Sequence, residues 1–248
     1  TNPRDISSLH GIVLMGSPLD KEPCKRYMKV LTPNIFNGYG TTETFWNVFL
    51  RPYDLPDKAG YAGGACTDDD VRVVRVDTTK HVSPDELVPM DKKTVGEVVI
   101  FAPNKSTFAY YDNPKTTEEK FHNGWLYTGD LATWDEHAYI TIIGRKDDMI
   151  VSAGENIYPV QVESILNEHP KVAESLVFGI PDPKRGSVIA ALIRPSDPSL
   201  TEKEMKQFCM NHPMLAPYKR PRTFRFVKEL PHNATGKLLH KLPPDFKF

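Results

Sequence analysis

The sequence predicts an α/β layer followed by a compact α+β domain. Three features carry that prediction. Near the N-terminus a strand, a helix and a second strand run into a glycine-rich loop. A mainly β block occupies the middle. A polar stretch, Gly144-Arg145-Lys146-Asp147-Asp148, then separates this block from a region where short strands and helices alternate.

Leu9 to Met15 is apolar enough for a short buried strand, and Gly16-Ser17-Pro18 ends it. Asp20 to Leu31 fits a helix with Asp20 as its cap, and Asn34-Ile35-Phe36 a second strand. That order is the start of a parallel layer, in which ligands gather at the C-terminal strand ends. Pro52 to about Asp70 is rich in Pro and Gly and reads as irregular. Val71–Val76, Gly96–Ala102 and Ala138–Ile143 have strand patterning, with a helix over Asn113–Phe121, so residues 71–143 form a small β subdomain.

Beyond the polar stretch, Met149–Val151, Val172–Gly179, Val188–Ile193 and Thr223–Val227 read as strands. Pro159–Glu168 and Thr201–Asn211 read as helices. Val160, Val162, Ile165 and Leu166 give the first helix its apolar positions, and Thr201 with Glu204 gives the second a capping box. A domain boundary falls near Asp147.

At 248 residues, with 40% hydrophobic and 25% charged residues, the chain can bury a sizeable core. The formal net charge of -1 gives no reason to expect a nucleic acid or a membrane surface as partner. Three cysteines, Cys24, Cys66 and Cys209, are too few and too scattered for a disulfide framework or a cysteine-rich zinc site, and they fit a reducing cytoplasm. No apolar run approaches the roughly 20 residues that span a bilayer. The first residues have no signal-peptide character and no initiator Met, as expected of a piece of something longer.

Four clusters have letters that can do chemistry. In Gly38-Tyr39-Gly40-Thr41-Thr42-Glu43, glycines let backbone N–H groups approach a phosphate, hydroxyls bond its oxygens, a carboxylate holds Mg²⁺ and Tyr39 offers a face to a base. An ordinary strand-to-helix turn with Thr caps explains the same letters. In Trp125-Leu126-Tyr127-Thr128-Gly129-Asp130, Asp130 is suited to ribose hydroxyls, or is a β-turn Asp.

In Gly144–Pro159, Arg145 can hold a phosphate or ribose oxygen, Asp147 can be a hinge and Gly154 leaves room beside the backbone. A charged linker and a turn account for these letters too. In Leu230–Leu238, Lys237 beside Gly236 can deliver a point charge to a phosphate or carboxylate, although surface lysines are usually solvated and inert.

Order and spacing make the four clusters specific together. Tyr39-Gly40-Thr41-Thr42-Glu43, Tyr127-Thr128-Gly129-Asp130, Gly144–Asp148, Gly154-Glu155-Asn156-Ile157-Tyr158-Pro159 and Gly236-Lys237 occur in the order of signature segments in one family. The chain resembles the adenylate-forming superfamily of acyl-CoA synthetases, adenylation domains and luciferases over essentially its whole length. Asp148-Met149-Ile150, Lys219-Arg220-Pro221 and Leu230-Pro231 make it similar to acyl- and aryl-CoA ligases, the 4-chlorobenzoate-CoA ligase type especially.

The resemblance implies a ligase that forms an acyl-adenylate from a carboxylic acid and Mg·ATP and passes the acyl group to coenzyme A. The setting would be cytoplasmic fatty-acid or aromatic-acid metabolism. It implies that Gly16, Ser17, Pro18, Tyr39 and Gly40 line the adenine site and that Thr42 contacts the α-phosphate. Glu43 would bind Mg²⁺, and Asp130 and Arg145 would hold the ribose. Lys237 would be the catalytic lysine of the first half-reaction. Asp147 would be the hinge of a mobile domain, and Gly154 would lie beside the thiol's path.

Residues 1–146 would then be the C-terminal part of the AMP-binding domain, and 147–248 the lid domain. The family's Ser/Thr/Gly-rich phosphate loop does not occur before Gly16, so the chain is expected to lack the N-terminal half of such an enzyme and to be inactive alone. Gln161-Val162-Glu163 departs from the family's Glu-hydrophobic-Glu.

An adenylation module loading a carrier-protein thiol, and a non-catalytic fragment that keeps the fold, are the alternatives. Phe45, Trp46 and Phe49 read either as an apolar pocket wall or as core packing. Lys219, Arg220, Arg222, Arg225 and Lys228 read as a solvated strand edge or as a contact for CoA phosphates.

Overall fold

A computed structural model of the chain describes residues 5–234 and 238–240. They divide into two compact units, the first ending at Ile143 and the second beginning at Gly144.

In the first unit, β1 (Ile12–Met15) leads through helix α1 (Lys21–Val30) to β2 (Ile35–Thr41). β1 and β2 are parallel, with Ile12 beside Ile35 and Met15 beside Gly38. Cys24 of α1, Leu19 and Ile35 form a small core beneath this pair.

β2 is longer than the sequence reading allowed, because its glycines lie inside the strand. It folds back directly into β3 (Phe45–Leu50), which pairs antiparallel with it. The Tyr39–Glu43 segment is therefore the tip of a β-hairpin, which corrects the strand-to-helix turn. Gly40 is required there, since a Cβ would stand 1.7 Å from the carbonyl oxygen of Phe45. β4 (Gly64–Ala65) completes a four-stranded sheet in sequence order.

The second sheet of this unit holds β5 (Asp70–Val74), β6 (Gly96–Phe101), β7 (Phe121–His122), β8 (Trp125–Trp134) and β9 (Ile140–Arg145). Helix α2 (Pro114–Lys120) precedes β7, with Asn113 accepting from the Thr116 amide as its cap. The path runs β5-β6-β8-β7, and β9 pairs with β8. Val73, Val98, Ile100, Leu126, Ala132, Trp134 and Ile140 form its core. Fully burying each large aliphatic side chain contributes about 1.5–3 kcal/mol.

Asp130 lies inside β8, not in the β-turn that was the plainer reading of its letters. A bulge explains the misleading Thr-Gly-Asp: Gly129 has φ +73°, and the β6–β8 register shifts between Glu97 and Val99. Such a bulge re-aims the side chain beside it.

In the second unit, β10 (Ile150–Ser152) and β11 (Glu155–Ile157) form a hairpin, followed by helix α3 (Pro159–Leu166). β12 (Val172–Asp182) pairs antiparallel with β13 (Gly186–Pro195). Helix α4 (Glu202–Asn211) then leads to β14 (Thr223–Phe226), which lies parallel to β13 at the sheet edge. Val162 and Leu166 of α3, Val177, Ile193, Met205 and Phe224 meet in one core. The capping box of α4 forms as its letters predict. Arg222 and Arg225 are exposed on and beside β14, in keeping with a solvated edge.

Candidate functional site

In the first unit three predicted segments converge at the C-terminal ends of two parallel strands. Met15 and Gly38 are register neighbours, so Gly16-Ser17-Pro18 and Tyr39-Gly40 leave adjacent strands side by side. Gly16, at φ +86°, meets nothing within 4 Å where a Cβ would be, and Gly16, Ser17 and Pro18 are all exposed. Asp130 arrives from the other sheet: the Tyr39 hydroxyl donates to its Oδ2 at 2.8 Å. Asp130 is held by its own strand as well, since its amide donates to Thr128 Oγ1, whose hydroxyl donates to the Val98 carbonyl.

The hairpin tip is fastened from below by polar groups. The Thr44 hydroxyl donates to Asn47 Oδ1 at 2.7 Å, and the Asn47 amide group donates to Asp69 Oδ2 at 2.9 Å. Lys105 Nζ donates to the same oxygen at 2.6 Å and to the Trp46 carbonyl at 2.8 Å. Thr44, Asn47 and the Asp69 side chain are buried, so this network fixes the backbone that presents Thr42 and Glu43.

Thr42 and Glu43 open onto a cleft of about 300 Å³, lined also by Phe45, Lys105, Tyr110 and Phe121. Burial is the largest influence on the Glu43 carboxyl and opposes its charge. The Tyr110 hydroxyl, the backbone, the Thr41 hydroxyl and the Lys120 ammonium together outweigh it and hold the carboxyl below its usual range. Glu43 is thus an ionised, half-buried carboxylate beside a hydroxyl in an open cleft.

A hard cation such as Mg²⁺ takes one or two carboxylates and completes its shell with substrate phosphates and water. Glu43 fits that demand. Among the described residues no group of three His, Cys, Asp or Glu could cage a metal unaided.

Phe45 is 70% exposed and Trp46 46% exposed, which rules out core packing for both, while Phe49 meets Trp46 edge to face. Tyr110 and Lys105 were not singled out in the sequence. Their letters have no periodic or motif signal, and their partners lie far away along the chain.

In the second unit, Arg145 ends β9, half-buried, with Asp147 Oδ2 3.9 Å from its guanidinium. Asp147 is exposed on the single helical turn Lys146–Asp148. Ala153 and Gly154, at φ +52° and +84°, form the two-residue turn between β10 and β11. Two positive φ values are the signature of a type I′ turn, so Gly154 is explained by its backbone conformation, with open space around it.

Lys237, together with Gly236, lies outside the described residues. Its flanks are described: His232 and Leu238 form an antiparallel bridge, and the Leu239 amide donates to the Pro231 carbonyl.

The profile of the "AMP-binding enzyme" family matches residues 1–111, and that of the "AMP-binding enzyme C-terminal domain" matches residues 161–237. The chain belongs to the AMP-binding enzyme family.

Two curated members of the family are a long-chain-fatty-acid–CoA ligase of Escherichia coli O157:H7 and a 2-succinylbenzoate–CoA ligase of Bacillus cereus strain Q1. The first is 33% identical over 96% of this chain and 40% of its own length. The second is 36% identical over 95% of this chain and 46% of its own length. The chain thus spans less than half of either relative.

The o-succinylbenzoate CoA synthetase of Bacillus subtilis, solved with its acyl-adenylate intermediate, superposes with a TM-score of 0.84. It is 33% identical, over 98% of this chain and 48% of the other. The same enzyme has been solved with ATP and a magnesium ion. Among the described residues, no helix is long and apolar enough to cross a membrane.

Proposed function

We propose that this chain is the C-terminal part of an ATP-dependent acyl- or aryl-CoA synthetase of the cytoplasm. Its substrates are ATP, a carboxylic acid and coenzyme A. Its partner is the remaining N-terminal portion of the same enzyme. The observation that carries this reading is the hydrogen bond from Tyr39 to Asp130, which joins two signature segments 91 residues apart, one near the end of a parallel strand and the other inside a strand of the second sheet.

In this reading Gly16, Ser17, Pro18, Tyr39 and Gly40 line the adenine site, and Asp130 and Arg145 hold the ribose. Thr42 donates its hydroxyl to the α-phosphate, and Glu43 holds Mg²⁺. When bound, the cation neutralises charge on the phosphates. Attack of a carboxylate on the α-phosphate of ATP breaks the bond to the β-phosphate and releases pyrophosphate; it brings two anions together, and the Lys237 ammonium stabilises that encounter. Residues 1–146 are the nucleotide-binding part and 147–248 the lid. Turning about Asp147, the lid brings Gly154 to the path of the thiol.

The test uses the full-length protein, following AMP and acyl-CoA formation with benzoates and with short to long fatty acids. Joint appearance of both products with one acid class is the expected result, and adenylate formed without transfer to CoA would overturn the choice of acceptor.

Two variants test the division of labour. Lys237→Ala should abolish adenylation and spare thioester formation from supplied acyl-adenylate. Asp147→Pro should do the reverse, because proline fixes φ and drives Lys146 away from the helical turn it now occupies. Parental adenylation in Lys237→Ala, or equal loss of both steps in Asp147→Pro, would sink the respective role.

A further inference from the structure

The loop between β6 and α2 places one hydroxyl against the carboxylate at the hairpin tip. Tyr110 Oη donates to Glu43 Oε1 across 67 residues of sequence. The loop is built to hold it there. The Tyr110 amide donates to Thr117 Oγ1 at 2.9 Å, and that hydroxyl donates to the Asn113 carbonyl at 2.9 Å, tying the loop to the first turns of α2. The Tyr110 ring lies 5.8 Å from the Phe121 ring, which in turn meets Phe108 edge to face at 5.9 Å. A tyrosine fixed at its backbone and packed along its ring has little freedom to turn its hydroxyl elsewhere.

The consequence for Glu43 is chemical as well as geometric. A carboxylate has two oxygens and several lone pairs. Tyr110 bonds Oε1, which fixes the plane of the group in the cleft that both residues line. A hydrogen bond to a carboxylate is among the stronger ones. Carboxylates that ligate metals are in turn oriented by such outer partners, and loss of one typically costs about 10- to 100-fold in metal affinity or activity.

We propose that Tyr110 is a positioning residue for divalent-cation binding, acting by orienting Glu43. This rests on the reading of Glu43 as the metal-binding carboxylate, and the experiment separates the two.

In the full-length protein, Mn²⁺ binding is titrated by electron paramagnetic resonance with a non-hydrolysable ATP analogue present. Affinity for the same analogue without metal is measured by calorimetry. Tyr110→Phe keeps the ring and its packing and removes only the hydroxyl. It should weaken Mn²⁺ binding by about tenfold while leaving metal-free nucleotide affinity within about twofold. Glu43→Gln should weaken Mn²⁺ binding at least as much.

If Glu43→Gln weakens Mn²⁺ binding and Tyr110→Phe binds it within about twofold of the parent, the role of Tyr110 is overturned and that of Glu43 stands. If Glu43→Gln binds Mn²⁺ like the parent, the metal reading of Glu43 fails, and the proposal with it. Loss of metal-free nucleotide affinity in Tyr110→Phe, in step with the metal, would show a collapse of the cleft and also overturn the positioning role.

Discussion

Tyr39 donates its hydroxyl to Asp130 at 2.8 Å, so a residue at the end of a parallel strand holds a carboxylate carried by a bulge in another sheet. Neither group could be placed by the other's local sequence. If Asp130 takes ribose hydroxyls, Tyr39 contributes twice, by the face of its ring and by holding Asp130 in place. We predict that Tyr39→Phe, which keeps the ring, weakens AMP binding to the full-length protein by about 10- to 100-fold, since a hydrogen bond to a charged group is worth about 1.5–3 kcal/mol. Calorimetric titration with AMP measures it. Unchanged affinity would show that Asp130 does not depend on Tyr39.

The Lys105–Asp69 pair is expected to matter for stability more than its surface position implies. The Asp69 side chain is 1% exposed and, among the described residues, its Oδ1 has no hydrogen-bond partner, while Lys105 and Asn47 donate to Oδ2. Lys105→Met should cost about 3–5 kcal/mol, the penalty of a buried charge left unpaired. The double variant with Asp69→Asn should recover much of that loss. Denaturant unfolding of all three proteins gives the comparison, and a single-variant cost below about 1 kcal/mol would refute the dependence.

How much of this was readable in the sequence depended on whether a signal was local. The capping box of α4, the Asn113-started helix α2 and the apolar face of α3 follow from neighbouring letters, and they stand where those letters put them. β3 was missed because, while pairing with β2 along its length, it exposes Phe45 and Trp46 in succession and buries Asn47 and Val48 in succession, which breaks any alternation. β8 was missed because a bulge puts Thr-Gly-Asp, normally turn residues, in the middle of a strand. At the candidate site, Tyr39, Thr42, Glu43 and Asp130 were singled out through ordered motifs. The partners that bring Tyr110 and Lys105 to the hairpin, Glu43 and Asp69, lie in another part of the chain, and no window of sequence carries that information.

Gly40 and Gly154 belong to equally recognisable motifs but should respond to Ala in opposite ways. At Gly40 a Cβ would lie 1.7 Å from Phe45 O and 2.8 Å from Trp46 Cα, both backbone atoms of the paired strand. The β2–β3 hairpin would have to open, and Gly40→Ala should lose more than about 4 kcal/mol or fail to fold. At Gly154 there is open space and only a left-handed φ to sustain, which costs an L-residue about 1–2 kcal/mol. Gly154→Ala should therefore fold, and if the residue lies on the thiol's path it should slow thioester formation while sparing adenylation. Thermal unfolding with half-reaction assays separates the cases. A well-folded Gly40→Ala would overturn the steric argument, and equal slowing of both half-reactions would remove Gly154 from the thiol's path.

His232 should make the anchoring of the segment after Leu230 depend on pH. Its Nε2 faces Glu174 Oε1 at 2.9 Å and its Nδ1 faces the Leu230 carbonyl at 2.9 Å. Both neighbours are acceptors, so both nitrogens can donate only in the imidazolium form. The bond to Glu174 raises the pKa of His232 above its ordinary 6.5, with burial and Arg194 opposing.

A raised folded-state pKa means that the stabilisation is fully present below about 6.5 and is lost as pH rises through the higher folded value. The Leu239 amide, bonded to the Pro231 carbonyl beside His232, reports on it. Its exchange protection should fall through that window by more than intrinsic base catalysis explains, and His232→Gln should abolish the excess. An NMR titration placing His232 at or below 6.5 in the folded protein would show that the Glu174 pair does not hold this segment.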